Sequence, residues 1–216
     1  MTEGVFKISE KRPIRDEMTI SRSAGLSSHN PVTWFSMGAK TSISQERYDN
    51  TILYLGEEGV STFLLGNPAQ KAFLSRGDFL LVPASTLCGA ETEEGSIYTE
   101  IILEKESSMN SIVKPGEAIQ LKNLISYEED SIANLDVAHT DTMKFVLMAF
   151  DEGTGLSAHR APGNAIVTAL EGNAIIGYEG KDYPLAEGES FRFEKNGLHS
   201  VTAKGRFKMS LLLVLE

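Results

Sequence analysis

One block of this 216-residue sequence is written twice. Residues 46–59 (ERYDNTILYLGEEG) and 159–172 (HRAPGNAIVTALEG) have equal length, carry arginine at the second place (Arg47, Arg160) and end in Glu-Gly. A second pair follows, 77–88 (GDFLLVPASTLC) and 188–199 (GESFRFEKNGLH), again of equal length. Each half closes on an apolar stretch ending in glutamate: 98–104 (YTEIILE) and 208–216 (KMSLLLVLE). His29 and His139 stand ahead of the first strong apolar segment of each half. The offset between matching places stays between 110 and 113 residues. A near-constant offset of this kind is what two copies of one supersecondary plan produce. The expected division is 1–108 and 109–216, within the polar, Gly- and Pro-bearing stretch 104–117.

Both copies read as strands. MKFVLMAF (143–150) and LLLVL (211–215) are short continuous apolar runs, as in strands buried on both faces. In residues 190–194, Phe191 and Phe193 share one face and Arg192 takes the other. Turn signals recur at Glu152-Gly153, Pro162-Gly163, Glu171-Gly172, Glu179-Gly180, Glu187-Gly188 and Asn196-Gly197. Many short strands punctuated by glycine argue for a closed or sandwiched antiparallel sheet, so the expected class is all-β. Residues 121–135 are polar and lack strand spacing, which leaves room for a helical turn or two.

Charge narrows the partners. A formal net charge of -10 repels phosphate backbones and anionic lipid, so neither nucleic acid nor membrane is an expected partner. The longest apolar run, 211–215, is far too short to cross a bilayer as a helix. The opening MTEGVFKISEKRP has Glu3 and Glu10 among its basic residues and no apolar core, so no secretory signal is expected. One cysteine, Cys88, allows no intrachain disulfide. The expected compartment is the cytoplasm. There is no P-loop, GxSxG, HExxH or CxxC, and the Gly-Thr-Gly at 153–155 opens no helical pattern.

The repeated blocks resemble the two motifs of the cupin family, roughly G-x5-H-x-H-x3,4-E-x6-G and G-x5-P-x-G-x2-H-x3-N. Residues 153–172 look like the first and 188–199 like the second, while 77–85 match the second through Gly77, Asp78 and Pro83. The resemblance covers nearly the whole chain. It implies two tandem cupin barrels of the double-stranded β-helix or jelly-roll type. In the family, two His and a Glu of the first motif and a His of the second hold a divalent metal. Here His159 takes the first His place and His199 the last, but Ala161 and Ala165 stand at the second His and the Glu places. In the first half the matching places hold Glu46, Tyr48, Cys88 and a position on or next to Ile52.

What the resemblance implies about function follows from that donor list. His159 and His199 are the metal-ligand candidates for Zn, Fe, Mn or Ni, and two imidazoles alone hold such a metal weakly. Glu46, Cys88, His139 and Asn164 are further pocket candidates, although Asn164 sits one residue from the Glu place and so on the opposite strand face. Tyr48 and Tyr54 read as core or pocket wall, and Arg47 and Arg160 as solvent-facing or anion-binding. The reading is a bicupin that binds a small molecule in its C-terminal barrel, with or without a weakly held divalent metal. The alternative is a non-catalytic sensing or structural cupin with no metal. Enzymatic activity is left open, and so is a homodimer.

Overall fold

The computed structural model describes residues 4–216; residues 1–3, part of the segment read for a signal, lie outside them. The chain divides into two compact units, one spanning Ile8–Gln120 and the other joining the residues up to Lys7 to Leu121–Glu216. Both are built almost wholly from antiparallel strands. No helix among the described residues is long and apolar enough to cross a membrane.

The first strand, β1 (Val5–Phe6), belongs to the second unit. The Ile8–Gln120 unit opens with one helical turn, α1 (Ile8–Lys11), that buries Ile8. It continues with β2 (Thr19–Ser23), β3 (Val32–Met37), β4 (Ser42–Arg47), β5 (Ile52–Leu65), β6 (Gln70–Ser75), β7 (Asp78–Val82), β8 (Leu87–Glu91), β9 (Ser96–Ile102), β10 (Ser108–Met109) and β11 (Ala118–Gln120). The sheet runs β11-β7-β5-β9-β3-β2, with β8 and β6 added along β5 and β4 along β8. Its core includes Tyr54, Phe63, Leu80, Val82, Cys88 and Tyr98.

The second unit follows a 3-10 turn at Leu121–Asn123 and comprises β12 (Ile132–His139), β13 (Met143–Phe150), β14 (Gly155–Arg160), β15 (Asn164–Tyr178), β16 (Lys181–Ala186), β17 (Ser190–Phe193) and β18 (Leu198–Val214). Here the path is β1-β17-β15-β18-β13-β12, with β14 on β18 and β16 on β15. Each place matches the first unit in order: a short strand, then the Gly-Asp/Glu strand, then the long central strand, then the closing apolar strand. The repeat in sequence is thus a repeat in pairing. The core gathers Phe150, Phe191, Phe193, Phe207, Ile176 and Val201 around Tyr178.

Three local expectations change. Glu171-Gly172 does not end a strand but sits inside β15, where the register shifts between Ala169, Glu171 and Asn173 and Gly172 takes φ 76°. The signal marks a bulge, which also puts one residue at positive φ. Residues 121–135 carry only the single 3-10 turn before β12 begins at Ile132. The break at 108/109 read from polarity falls short of the contact boundary after Gln120, because Ala118–Gln120 pairs with β7 through Ala118↔Leu80 and Gln120↔Asp78.

Other turn signals hold. Glu179 and Gly180 take φ 47° and 80° between the hairpin strands β15 and β16, and Asn196 takes φ 63°. Those are the left-handed conformations that Gly accepts freely and Asn tolerates.

Candidate functional site

Within the second unit, β14 and β18 place His159 and His199 directly opposite each other as Cα partners. Their rings lie 4.3 Å apart centroid to centroid and inclined at 53°. His159 is exposed, whereas His199 is 7% exposed and packs on Phe193, with ring centroids 4.3 Å apart. Tyr178 is the Cα partner of His199 on its other side.

Hydrogen bonds fix the chemistry of both rings. Nδ1 of His159 lies 2.8 Å from the Ser157 carbonyl, and Nδ1 of His199 lies 2.9 Å from the Gly197 carbonyl. A carbonyl oxygen can only accept, so each Nδ1 carries the proton and each neutral ring keeps its lone pair on Nε2. Burial holds the pKa of His199 below the usual imidazole range; the Gly197 carbonyl pulls the other way, and His159 adds to the lowering. His199 is therefore kept neutral, as a hydrogen-bond acceptor.

Two imidazoles do not make a resident metal site. The second His and Glu places are occupied by Ala161 and Ala165, whose methyl groups donate nothing. Ala165 is 2% exposed, packed in the core. Among the described residues, no group of three or more His, Cys, Asp or Glu side chains is arranged to hold an ion. Zinc and first-row transition metals are held by three or more protein ligands, so this donor set does not fit one.

The remaining expected residues fall as follows. Asn164 accepts a hydrogen bond from the Lys195 backbone N–H (2.9 Å), so its carbonyl is committed to a turn. His139 is exposed at the end of β12, paired with Lys144, and does not join the two histidines in a donor group. Arg47 and Arg160 play the same structural part in their two units. Each guanidinium donates to a turn carbonyl, Ser85 and Asn196 respectively, and Arg160 also faces Glu179 at 3.5 Å.

In the first unit, Glu46 and Cys88 are Cα partners across β4 and β8, the same relation as His159 and His199. Glu46 is exposed and Cys88 buried. Tyr54 shares a 3.7 Å contact between its hydroxyl and the Cys88 sulfur. Burial pushes the Cys88 thiol up to about 11; Tyr54 opposes this and Glu100 reinforces it. The cysteine is thus a protonated thiol at neutral pH, unsuited to attack or to metal binding without losing that proton.

Glu100 is absent from the candidates that the sequence suggests. It lies in β9 opposite Tyr54 and on the same face as Tyr98, only 8% exposed. Burial raises its carboxyl pKa from 4.5 to about 7, against the hydrogen bond from Tyr54. Burial likewise pushes the Tyr54 and Tyr98 hydroxyls far above their usual range, with Glu100 adding to both. The sequence does carry a signal for it: a glutamate within YTEIILE falls on the face shared with Tyr98 and Ile102.

Residues 146–215 match a family model described as Cupin domain. The matched stretch lies within the second unit and runs from β13 to the end of β18. Across the whole chain, the fold is similar to that of a Cupin 2 conserved barrel domain protein from Leptotrichia buccalis, at 23% identity and TM-score 0.87, covering 99% of this chain and 98% of that one. It is also similar to salicylate 1,2-dioxygenase from Pseudaminobacter salicylatoxidans, at 13% identity and TM-score 0.69, covering 99% of this chain and 84% of that one. The same dioxygenase determined as adducts with gentisate gives 13% identity and TM-score 0.68, covering 99% and 81%. No curated protein matches the chain. At these identities the likeness is one of cupin fold.

Proposed function

We propose that this chain is a tandem pair of cupin barrels that binds a small hydroxyl-bearing organic molecule in the C-terminal barrel, through His159 and His199 and without a resident metal. The observation that carries the reading is the pair of bare Nε2 atoms. Both rings are turned by their own Nδ1–H bonds to backbone carbonyls, so two acceptors stand side by side on rings 4.3 Å apart. Two neighbouring hydroxyls of one ligand match that spacing, and the Phe193 ring beside His199 supplies an apolar wall. The repeated strand order supports the tandem arrangement. A non-catalytic binding role fits the donor set better than metal-assisted catalysis, because the two places that would complete a metal site are alanines.

Calorimetric titration of the full chain with catechol and gentisate tests this. Saturable binding is expected, weakened roughly 5- to 30-fold by His159→Ala, since one lost charge-free hydrogen bond plus ring contact is worth roughly 1–2 kcal/mol. Binding unchanged in that variant would overturn the site. Stoichiometric transition metal in protein purified without chelator, lost in His159→Ala, would overturn the metal-free reading.

A further inference from the structure

We infer that the interior of the Ile8–Gln120 barrel is a second binding site, for a small organic cation of the alkyl- or arylammonium class, with the Glu100 carboxylate as counter-charge and the Tyr48, Tyr54 and Tyr98 rings as walls. The geometry begins with Glu100, 8% exposed on the core-facing side of β9. None of the ion pairs found among the described residues includes it. A buried carboxylate without a cation is costly, so a position that keeps one asks what supplies the charge.

The surroundings answer in aromatic rings. Tyr54 and Tyr98 meet edge to face at 5.7 Å, Phe63 lies 4.3 Å from Tyr54, and Phe35 stacks on Tyr98 at 5.1 Å. Ring faces attract ammonium groups, most strongly where water is excluded. Half-buried Tyr48 lies within electrostatic reach of Glu100, Glu46 and Cys88, and its exposure gives the cluster an edge toward solvent. Glu46 at that edge adds a second negative charge, and the chain's net charge of -10 favours cations generally.

The fold does not require these residues. In the second unit the strand places matching Tyr54, Tyr98 and Glu100 hold Val167, Met209 and Leu211, with Val167 opposite Leu211 as Tyr54 is opposite Glu100. The same places are apolar there. The glutamate and the tyrosines at these places in the first unit are thus an addition to the shared plan.

The titratable groups that Glu100 acts on are Tyr48, Tyr54, Cys88 and Tyr98, with Glu46 also acting on Tyr48, and none of them is a cation. Glu100 is largely neutral below pH 7 and ionised above it. Ammonium binding therefore strengthens as pH rises through 7.

The test is calorimetric titration of the full chain with benzylammonium chloride at pH 6 and pH 8, with benzyl alcohol as the neutral analogue, titrated into the His159→Ala variant so that the histidine pair does not take up its hydroxyl. Saturable binding is expected at pH 8, weaker by roughly tenfold at pH 6 in proportion to the ionised fraction, and absent for benzyl alcohol. Glu100→Gln should weaken the pH 8 binding at least about tenfold and flatten the pH dependence. His159→Ala should leave it unchanged, which separates this site from the histidine pair. No saturable binding, equal binding of benzyl alcohol, an unaffected Glu100→Gln variant, or loss in His159→Ala would each overturn the inference. If Glu100→Gln does not fold, the ratio of wild-type affinities at pH 8 and pH 6 decides alone.

Discussion

Replacing Glu100 by glutamine should make the protein more stable at pH 8 and leave it nearly unchanged at pH 4.5. Glutamine keeps the shape and an acceptor for the Tyr54 hydroxyl but removes the ionisation. In the folded chain the carboxyl titrates near 7 rather than 4.5, chiefly because it is buried. A folded pKa raised above the unfolded value means that the native state holds more protons between those two values, so stability falls as pH rises through that window. The rise from 4.5 to about 7, at about 1.4 kcal/mol per pH unit, is worth roughly 3 kcal/mol lost by pH 8. Glutamine escapes that loss. The difference in unfolding free energy between variant and wild type, from urea curves at pH 4.5 and pH 8, should grow by about 3 kcal/mol in favour of the variant. Glu57 is also raised to about 7 by burial, but it is present in both proteins and cancels from the difference. A difference that does not change with pH would show that Glu100 is ionised in the fold and already compensated. That result would remove the reasoning behind both the stability and the cation site.

Two further predictions concern the second unit. Gly163 is buried, and a Cβ there would lie 1.8 Å from the Val214 carbonyl oxygen, so Gly163→Ala should cost about 2 kcal/mol and lower Tm by roughly 5 °C; an unchanged melting curve would mean that the two strands separate easily. His199 has a folded pKa below 6.5, so the unfolded chain takes up more protons just under that value and stability drops as pH falls below 6.5; replacing it with phenylalanine should remove this part of the acid sensitivity, and parallel stability-against-pH curves for the two proteins would contradict it.

The legible part of the sequence is the part governed by spacing. The repeat offset matches Glu46 with His159 and Cys88 with His199, and the pairing of β4 with β8 and of β14 with β18 joins the two members within each half. What spacing does not supply is desolvation. The first glutamate of YTEIILE looks like an edge residue of an apolar closing strand until its partner strands are known. With β3 on one side and β5 on the other, the face of Glu100 points to the core. The bulge at Glu171-Gly172 is hidden for a similar reason. A glycine after a glutamate announces positive φ, but whether the chain then turns or continues depends on a partner strand far along the sequence, here β18. Alternation alone puts Asn164 on the opposite strand face, and its bond to the Lys195 N–H shows what it does there.

The short strand Val5–Phe6 lies against Phe191 and Ser190, residues from the far end of the chain. During synthesis this strand emerges long before the edge that it covers, whereas Ala118–Gln120 reaches β7 as soon as the first half is made. The earlier unit can therefore close its sheet while the chain is still growing, whereas Val5–Phe6 stays unpaired until β17 has been made. Separating the halves at 108/109 would strip Ala118–Gln120 from β7 and Val5–Phe6 from β17, and each newly bared edge is an invitation to pair with the wrong molecule.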